Sequence, residues 1–150
     1  MIQRKQSLWL LIAALLNSGV FFMDLYRTHT SVHSSVLGID TVTDKTGQLG
    51  VSEHFGTLLL AIIMVLLPIV TIFLFKQRKR QLTLSFITII SVIGFIAATL
   101  FYINNITPVP ASGNYWIGSV LPVISLVFLI MAIMGIRRDD KLVKSVDRLR

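Results

Sequence analysis

Residues 56–75 read GTLLLAIIMVLLPIVTIFLF, a run of 20 without a single Asp, Glu, Lys or Arg. A helix needs about 20 such residues to cross a hydrocarbon core of about 30 Å. Runs of the same kind, nearly free of charge, occupy the residues 8–26, 82–103 and 115–136. We therefore predict an all-α membrane protein, with four transmembrane helices in an antiparallel bundle and residues 1–150 as a single domain.

The composition separates this chain from soluble proteins. Hydrophobic residues make up 54% of it and charged residues 14%, whereas about a quarter of the residues in a soluble domain are charged. The chain has no cysteine. Thiol–disulfide redox chemistry and thiolate metal sites are therefore excluded.

The positive charge is distributed unevenly. Twelve of the 14 Lys and Arg residues fall on one side of the membrane if the four helices alternate in direction, and the other side has only Arg27 and Lys45. The positive-inside rule then predicts a multi-pass protein of the bacterial inner membrane with both termini in the cytoplasm. On this interpretation the charge reflects topology and contact with anionic lipid headgroups, and we predict no nucleic-acid partner.

Polar groups inside the runs are few. Asn17 is the one strongly polar side chain deep in a run, and it has two interpretations, an interhelical hydrogen bond or a ligand for a solute. Pro68 and Pro122 lack an amide hydrogen, so they free the carbonyl groups of Met64 and Gly118. Each proline is either a packing kink or a hinge in a transport path. The absence of ionisable residues near the bilayer centre disfavours a proton-coupled transporter.

The loop at 27–55 holds all three histidines. His29 and His33 are four residues apart, so a first helix extended over 26–36 would place both on one face, where they would hold zinc together with Asp24 or His54. Solvated loop histidines are the simpler interpretation, and we predict no metal site.

The rest of this loop predicts a small hairpin, because residues 41–43 and 47–51 flank a turn-like Asp-Lys-Thr-Gly sequence at 44–47. The chain has no Ser-His-Asp order, glycine-rich phosphate loop or paired-carboxylate motif. We therefore predict a non-enzymatic protein without a cofactor.

The tail at 137–150 is basic and patterned. Leu142, Val146 and Leu149 follow helical spacing, which predicts an amphipathic helix on the cytoplasmic side. A helix this short is marginal alone in water, so it should dock either at the lipid headgroups or on a partner protein. The short connection before the third helix offers a second basic surface for the same contacts, with Lys76, Arg78, Lys79 and Arg80.

Three stretches carry a family resemblance: MIQRKQSL at 1–8, IFLFKQRKRQ at 72–81 and IRRDDKLVKSVDRLR at 136–150. They resemble a four-helix membrane family of Bacteroidota catalogued as domain of unknown function 4293. The chain departs from that pattern conservatively, with Gln77 where the family usually has Asn and Asp140 where it prefers Glu. The resemblance implies an inner-membrane protein and brings no activity. The specific residue order in the tail favours a protein-facing surface.

These observations lead to two main function hypotheses, beside a third in which a metal-responsive outer loop senses conditions in the cell envelope. The first is an accessory or interaction subunit of the inner membrane that docks a membrane-protein partner, or a second copy of itself, through the basic loop and tail. The alternative is a small transporter or channel subunit for a neutral or lipophilic solute, which would use Asn17, Pro68 and Pro122 around a polar path.

Overall fold

The computed structural model describes residues 3–36, 39–53, 55–74, 77–106 and 112–147. It contains four helices, α1 (Gln3–Gly19), α2 (Phe55–Phe73), α3 (Arg78–Ile106) and α4 (Ile117–Asp147), and three strands, β1 (Tyr26–Val36), β2 (Ile39–Leu49) and β3 (Ser112–Tyr115). A single 3₁₀ turn, Val51–Glu53, precedes α2. The four predicted helices are thus confirmed, and a three-stranded sheet lies at one end of them.

Three of the helices are long and apolar enough to cross a membrane, over Phe55–Phe73, Lys79–Asn104 and Ile117–Leu142. The apolar part of α1, Gln6–Gly19, is shorter. Each helix packs against two others: α1 and α3 both contact α2 and α4. The helices therefore form a closed four-membered ring around one core.

The burial pattern differs from that of a water-soluble bundle, although a hydrophobic core is present. Large apolar side chains such as Leu66, Ile90 and Phe101 are exposed, whereas the hydroxyl residues Thr88 and Ser125 are fully buried. The buried hydroxyl groups donate to carbonyl groups three or four residues earlier in their own helices, at 2.8 Å in both of these cases. This arrangement suits helices whose outer surface is in contact with lipid and whose contacts with one another depend on small and polar residues.

The helix α1 is antiparallel to α4 and close to it. The side chain of Leu121 fills the space that a Cβ atom on Gly19 would need, and Gln6 does the same beside Gly135. Between these points the rings of Trp9 and Phe128 stack with centroids 5.7 Å apart. The two helices therefore run alongside each other from the start of α1 to its end.

The first helix ends seven residues earlier than predicted, at Gly19 instead of Tyr26. A turn follows, with hydrogen bonds from Val20 N to Asn17 O at 3.3 Å and from Phe21 N to Ser18 O at 3.1 Å. Glycine is the residue type most often found at helix carboxyl ends. The prediction of a helix extended over 26–36 is also wrong, because these Thr-, Ser- and Val-rich residues form β1.

The strands β1 and β2 form a long antiparallel hairpin whose register runs from Tyr26 opposite Leu49 to Val36 opposite Ile39. The predicted hairpin, with strands at 41–43 and 47–51 and a turn at 44–47, is therefore wrong, because β2 runs through those residues as one strand and pairs with β1 instead. The strand β3 pairs with the other edge of β1, from Tyr26 opposite Tyr115 to His29 opposite Ser112. It gives the sheet order β2-β1-β3.

The tail is not a separate helix. Its residues through Asp147 continue α4 without interruption, so α4 has 31 residues and a length of about 46 Å at 1.5 Å per residue. That exceeds the roughly 30 Å of a hydrocarbon core. The helix α3 also begins earlier than predicted, at Arg78, and ends later, at Ile106.

Candidate functional site

The hydrogen bond between Asn17 and Met64 joins α1 to α2 inside the bundle. Asn17 is fully buried, and its Nδ2 donates to the carbonyl oxygen of Met64 at 3.1 Å. Pro68, which is also buried, lies four residues after Met64 and has no amide hydrogen for that carbonyl group. The Asn17 side chain therefore replaces the helix hydrogen bond that the proline removes.

The oxygen atom of the Asn17 amide group differs from the nitrogen atom in its hydrogen bonding. Its Oδ1 is buried and has no hydrogen-bond partner among the residues that the structure describes. A buried acceptor without a donor is uncommon, because it loses its hydration without compensation. Asn17 thus combines one interhelical bond with one free acceptor, and the transport hypothesis rests on that acceptor.

A second polar contact lies at the end of the bundle that is farther from the sheet. We call this end the basic end. Gln6 Nε2 donates to Asp139 Oδ2 at 2.5 Å, and the Asp139 side chain is only 8% exposed. Gly135, one turn before Asp139, leaves the space that the Gln6 side chain occupies. The start of α1 is therefore fixed to the part of α4 that continues into the tail.

The sequence did not single out this pair. Asp139 stands among tail cations and looks like a solvated charge, and Gln6 precedes the first apolar run. The two residues are 133 positions apart. The one available signal was that residues 136–150 contain no Gly or Pro. This allows α4 to continue into the tail, so that Asp139 is part of the helix that packs against α1.

Exposed cations lie at the same end of the bundle as this contact. We call Lys79, Arg80, Arg138 and Lys141 the basic platform; all four side chains are exposed, at the start of α3 and in the last part of α4. The neighbouring Arg137 places its guanidinium carbon 5.1 Å from the ring centre of Phe86, so α4 and α3 are in contact here.

The other residues predicted for this surface are distributed as follows. Leu142 is exposed at the end of the platform. Arg78 is the first residue of α3, and Val146 lies within the last turn of α4. Lys76 and Leu149 lie outside the described residues.

At the sheet end, a polar and aromatic cluster attaches the sheet to the helices. Asp24 and Arg27 form a salt bridge at 2.8 Å with partly exposed side chains, and the Arg27 guanidinium carbon lies 4.0 Å from the centre of the Trp116 ring. The rings of Tyr26 and Tyr115 meet edge to face at 5.4 Å. These contacts lie where β1 and β3 leave the bundle, so they set the position of the sheet.

The strand geometry changes the zinc interpretation. His29 and His33 both belong to β1, where residues four apart are separated by about 13 Å along the strand. The shared helix face on which the zinc interpretation depended is therefore absent. His54 lies outside the described residues, and within the part of the chain whose side chains are described no three His, Asp or Glu residues come together.

Comparison with known proteins adds the family and no more. No curated protein matches the chain, and no solved structure matches it. One family model does match, over residues 2–149, and its description is "Domain of unknown function (DUF4293)". That match covers nearly the whole chain and agrees with the resemblance seen in the loop and tail, so the chain belongs to this family of domains of unknown function.

Proposed function

We propose that the chain is a four-span protein of the bacterial inner membrane, in a member of the Bacteroidota. The support for a fourth span comes from the packing of α1 on α4. Their contacts at Gly135 and Leu121 are fourteen residues apart on α4, which is about 21 Å of helix. α1 therefore follows α4 through most of the thickness of the membrane, and the turn at 20–25 covers the rest.

The charges orient this bundle. The basic platform and Arg137 all lie at one end, and the sheet lies at the other. By the positive-inside rule the basic end faces the cytoplasm and the sheet faces outward. With four spans, both termini are then cytoplasmic.

Within that membrane the protein acts as a non-enzymatic accessory subunit, and it docks a partner protein through the basic platform and the apolar sequence stripe that begins with the exposed Leu142. The observation that carries this proposal is the buried Gln6–Asp139 hydrogen bond. It fixes the tail to α1 just where α4 leaves the apolar region. The eleven residues from Arg137 to Asp147 then extend about 16 Å beyond that region as a rigid helix.

A rigid projecting helix favours a protein partner over the lipid surface. A helix that lies on headgroups needs a bend that turns its axis into the membrane plane, and α4 continues unbroken through Asp147. Anionic headgroups remain within reach of Lys79 and Arg80 at the start of α3. Lipid contact is therefore expected beside the docking surface.

The test is affinity purification of the tagged full chain from its native membranes in mild detergent, followed by mass spectrometry. A stoichiometric partner is expected with the wild-type chain. Replacing Leu142, Val146 and Leu149 together with Ser should release that partner while membrane insertion is unchanged. The matched control is Met134→Ser, because this residue is also exposed on α4 but lies outside both the basic platform and the apolar stripe. Equal partner recovery from both variants would show that the tail is not the docking element.

The second candidate is transport of a neutral or lipophilic solute, and the buried Oδ1 of Asn17 favours it. An unpaired acceptor inside the bundle is a ready ligand for a polar solute group. The measurement is solute flux into liposomes that contain the purified protein, with Asn17→Leu as the comparison. Flux lost in this variant supports transport, and a well-folded protein that moves none of a panel of solutes removes the idea.

A further inference from the structure

A half-open groove separates α3 from α4 at the sheet end of the bundle. Its volume is about 360 Å³, within the range of roughly 300 to 1,000 Å³ that small-molecule sites occupy. Apolar side chains from both helices make up most of its lining, and Leu25, in the turn before β1, closes it on one side. The groove is separate from the basic platform, which lies at the other end of the bundle.

The groove opens toward the side of the bundle. Phe95 and Leu25 are buried, whereas Leu100 and Val123, which also line the groove, are 41% and 51% exposed and form its rim. Both rim residues belong to helix segments that are apolar and long enough to cross a membrane. A ligand therefore reaches the groove from within the bilayer, as a molecule dissolved in lipid.

The space results from the way α4 is held at this end. A side chain at position 118 would collide with the carbonyl oxygen of Asp24, so α4 lies directly against the turn that follows α1. Gly19 and Leu121 make a second close contact between the same elements. Pro122 lines the groove just beyond these contacts. α4 thus leans on α1, and the space toward α3 is left without a described side chain to fill it.

The lining of the groove is almost entirely apolar, and its hydroxyl residues are Thr99, Ser119 and Tyr115. Thr99 Oγ1 donates to the carbonyl oxygen of Phe95 at 2.9 Å, and Ser119 Oγ donates to the carbonyl oxygen of Trp116 at 2.8 Å. A hydroxyl group has one hydrogen, so each oxygen atom now offers only lone pairs. Both residues line the groove. They therefore accept hydrogen bonds from a ligand and do not donate them.

The two acceptors lie at the sheet end of the groove. Ser119 is in the first turn of α4, and Thr99 is one turn closer to the end of α3 than the apolar Phe95. Val123 lies one turn deeper than Ser119. The groove thus has a polar end near the membrane surface and an apolar end farther in.

We propose that this groove binds a membrane-dissolved molecule that has one aliphatic chain and a hydrogen-bond-donating head, as a long-chain alcohol has. The chain lies along Phe95 and Val123, and the head donates to Thr99 Oγ1 and Ser119 Oγ. A ligand whose head only accepts hydrogen bonds covers these oxygen atoms without satisfying them, which weakens its binding. The proposal does not depend on the docking function of the basic platform.

The test uses two photoreactive probes and the full chain in lipid nanodiscs. One probe is a long-chain alcohol with a diazirine in its chain, and the other is the methyl ether of the same molecule, which cannot donate a hydrogen bond. The alcohol should label the peptides that contain residues 95–100 and 115–123. It should do so about tenfold more than the ether, as expected for one or two lost hydrogen bonds.

Two sets of variants separate the head from the chain. Thr99→Val with Ser119→Ala removes the acceptors and should make the two probes label equally. Val123→Phe fills the groove and should abolish labelling by both probes. Its matched control is Val127→Phe, one turn farther along the same helix, where Val127 is 57% exposed and does not line the groove. Size-exclusion elution of each variant in detergent confirms that it is folded.

Each result bears on one part of the proposal. Equal labelling of the wild-type chain by alcohol and ether would overturn the preference for a donating head. Equal loss or equal retention of label in Val123→Phe and Val127→Phe would overturn the groove as the site. Labelling that maps to peptides outside α3 and α4 would overturn both.

Discussion

The side-chain amide of Asn17 donates a hydrogen bond to the carbonyl oxygen of Met64 at 3.1 Å. In a regular helix the backbone amide of residue 68 would donate to this carbonyl oxygen, but Pro68 has no amide hydrogen. A proline inside a helix normally leaves such a carbonyl group exposed or bonded to water. Here a neighbouring helix supplies the donor. One residue pair thus explains both the polar group in α1 and the tolerance for proline in α2.

We expect the destabilisation caused by replacing Asn17 to depend on the presence of Pro68. Asn17→Leu should destabilise the bundle by about 0.6 to 1.7 kcal/mol, the average and the maximum for membrane interhelical hydrogen bonds. In a Pro68→Ala background the backbone amide of residue 68 can bond Met64, so the same change should cost less than half as much. Unfolding by denaturing detergent measures both. Ser18→Ala is the control, because Ser18 bonds within its own helix, and equal coupling to Pro68→Ala in both series would contradict the assignment.

Two glycines on neighbouring helices should respond in opposite ways to alanine. Gly118→Ala puts a methyl group against the carbonyl oxygen of Asp24, and overpacking of this kind costs about 1 to 3 kcal/mol. Gly94 has no atom within 4 Å of its Cβ position. Gly94→Ala should therefore be neutral or stabilise α3 by up to about 1 kcal/mol. Thermal unfolding in detergent checks this, and equal loss of stability in both variants would refute it.

Removal of Asp139 should loosen the tail. Asp139→Ala takes away the acceptor of Gln6, so amide hydrogen exchange in residues 137–147 should become faster while exchange in the apolar part of α4 is unchanged. The neighbouring Asp140→Ala serves as the control, because its side chain is less buried. If tail exchange in Asp139→Ala is no faster than in the control, the contact does not hold the tail.

Zinc should not bridge His29 and His33, because strand spacing separates them by about 13 Å. Calorimetric titration of the purified protein with zinc should therefore show no binding that requires both residues. Any heat should be reduced independently by His29→Ala and by His33→Ala. A single tight site lost in either variant would mean that β1 is not a strand under those conditions.

Sequence patterns identified α2, α3 and α4 because a charge-free run of 20 residues has few alternatives. The same patterns were less accurate about the residues at which helices and strands begin and end. Apolar residues continue past Gly19 to Met23, so hydropathy could not show that the helix stops at the glycine. The Asp-Lys-Thr-Gly sequence at 44–47 is a good local turn signal, but pairing of β2 with β1 along 11 residues outweighs it.

The polar contacts differed in how visible they were in the sequence. The freed carbonyl of Met64 follows from the position of Pro68, and Asn17 stands out in its apolar run, so each half of this contact could be named in advance. The pairing of Gln6 with Asp139 could not, because it depends on α4 continuing beyond the apolar run and on the level at which α1 packs. Helix continuation in a basic segment has no hydropathy signal.

The unbroken length of α4 has a mechanical consequence. One residue, Trp116, separates β3 from the first turn of α4, and the same helix continues to Asp147 at the basic end. The sheet and the tail are therefore attached to the two ends of one continuous helix, with Pro122 in its second turn. A rotation or tilt imposed on the sheet by an outer ligand would displace the tail in the same movement, and a partner bound to the tail would in turn restrict the sheet.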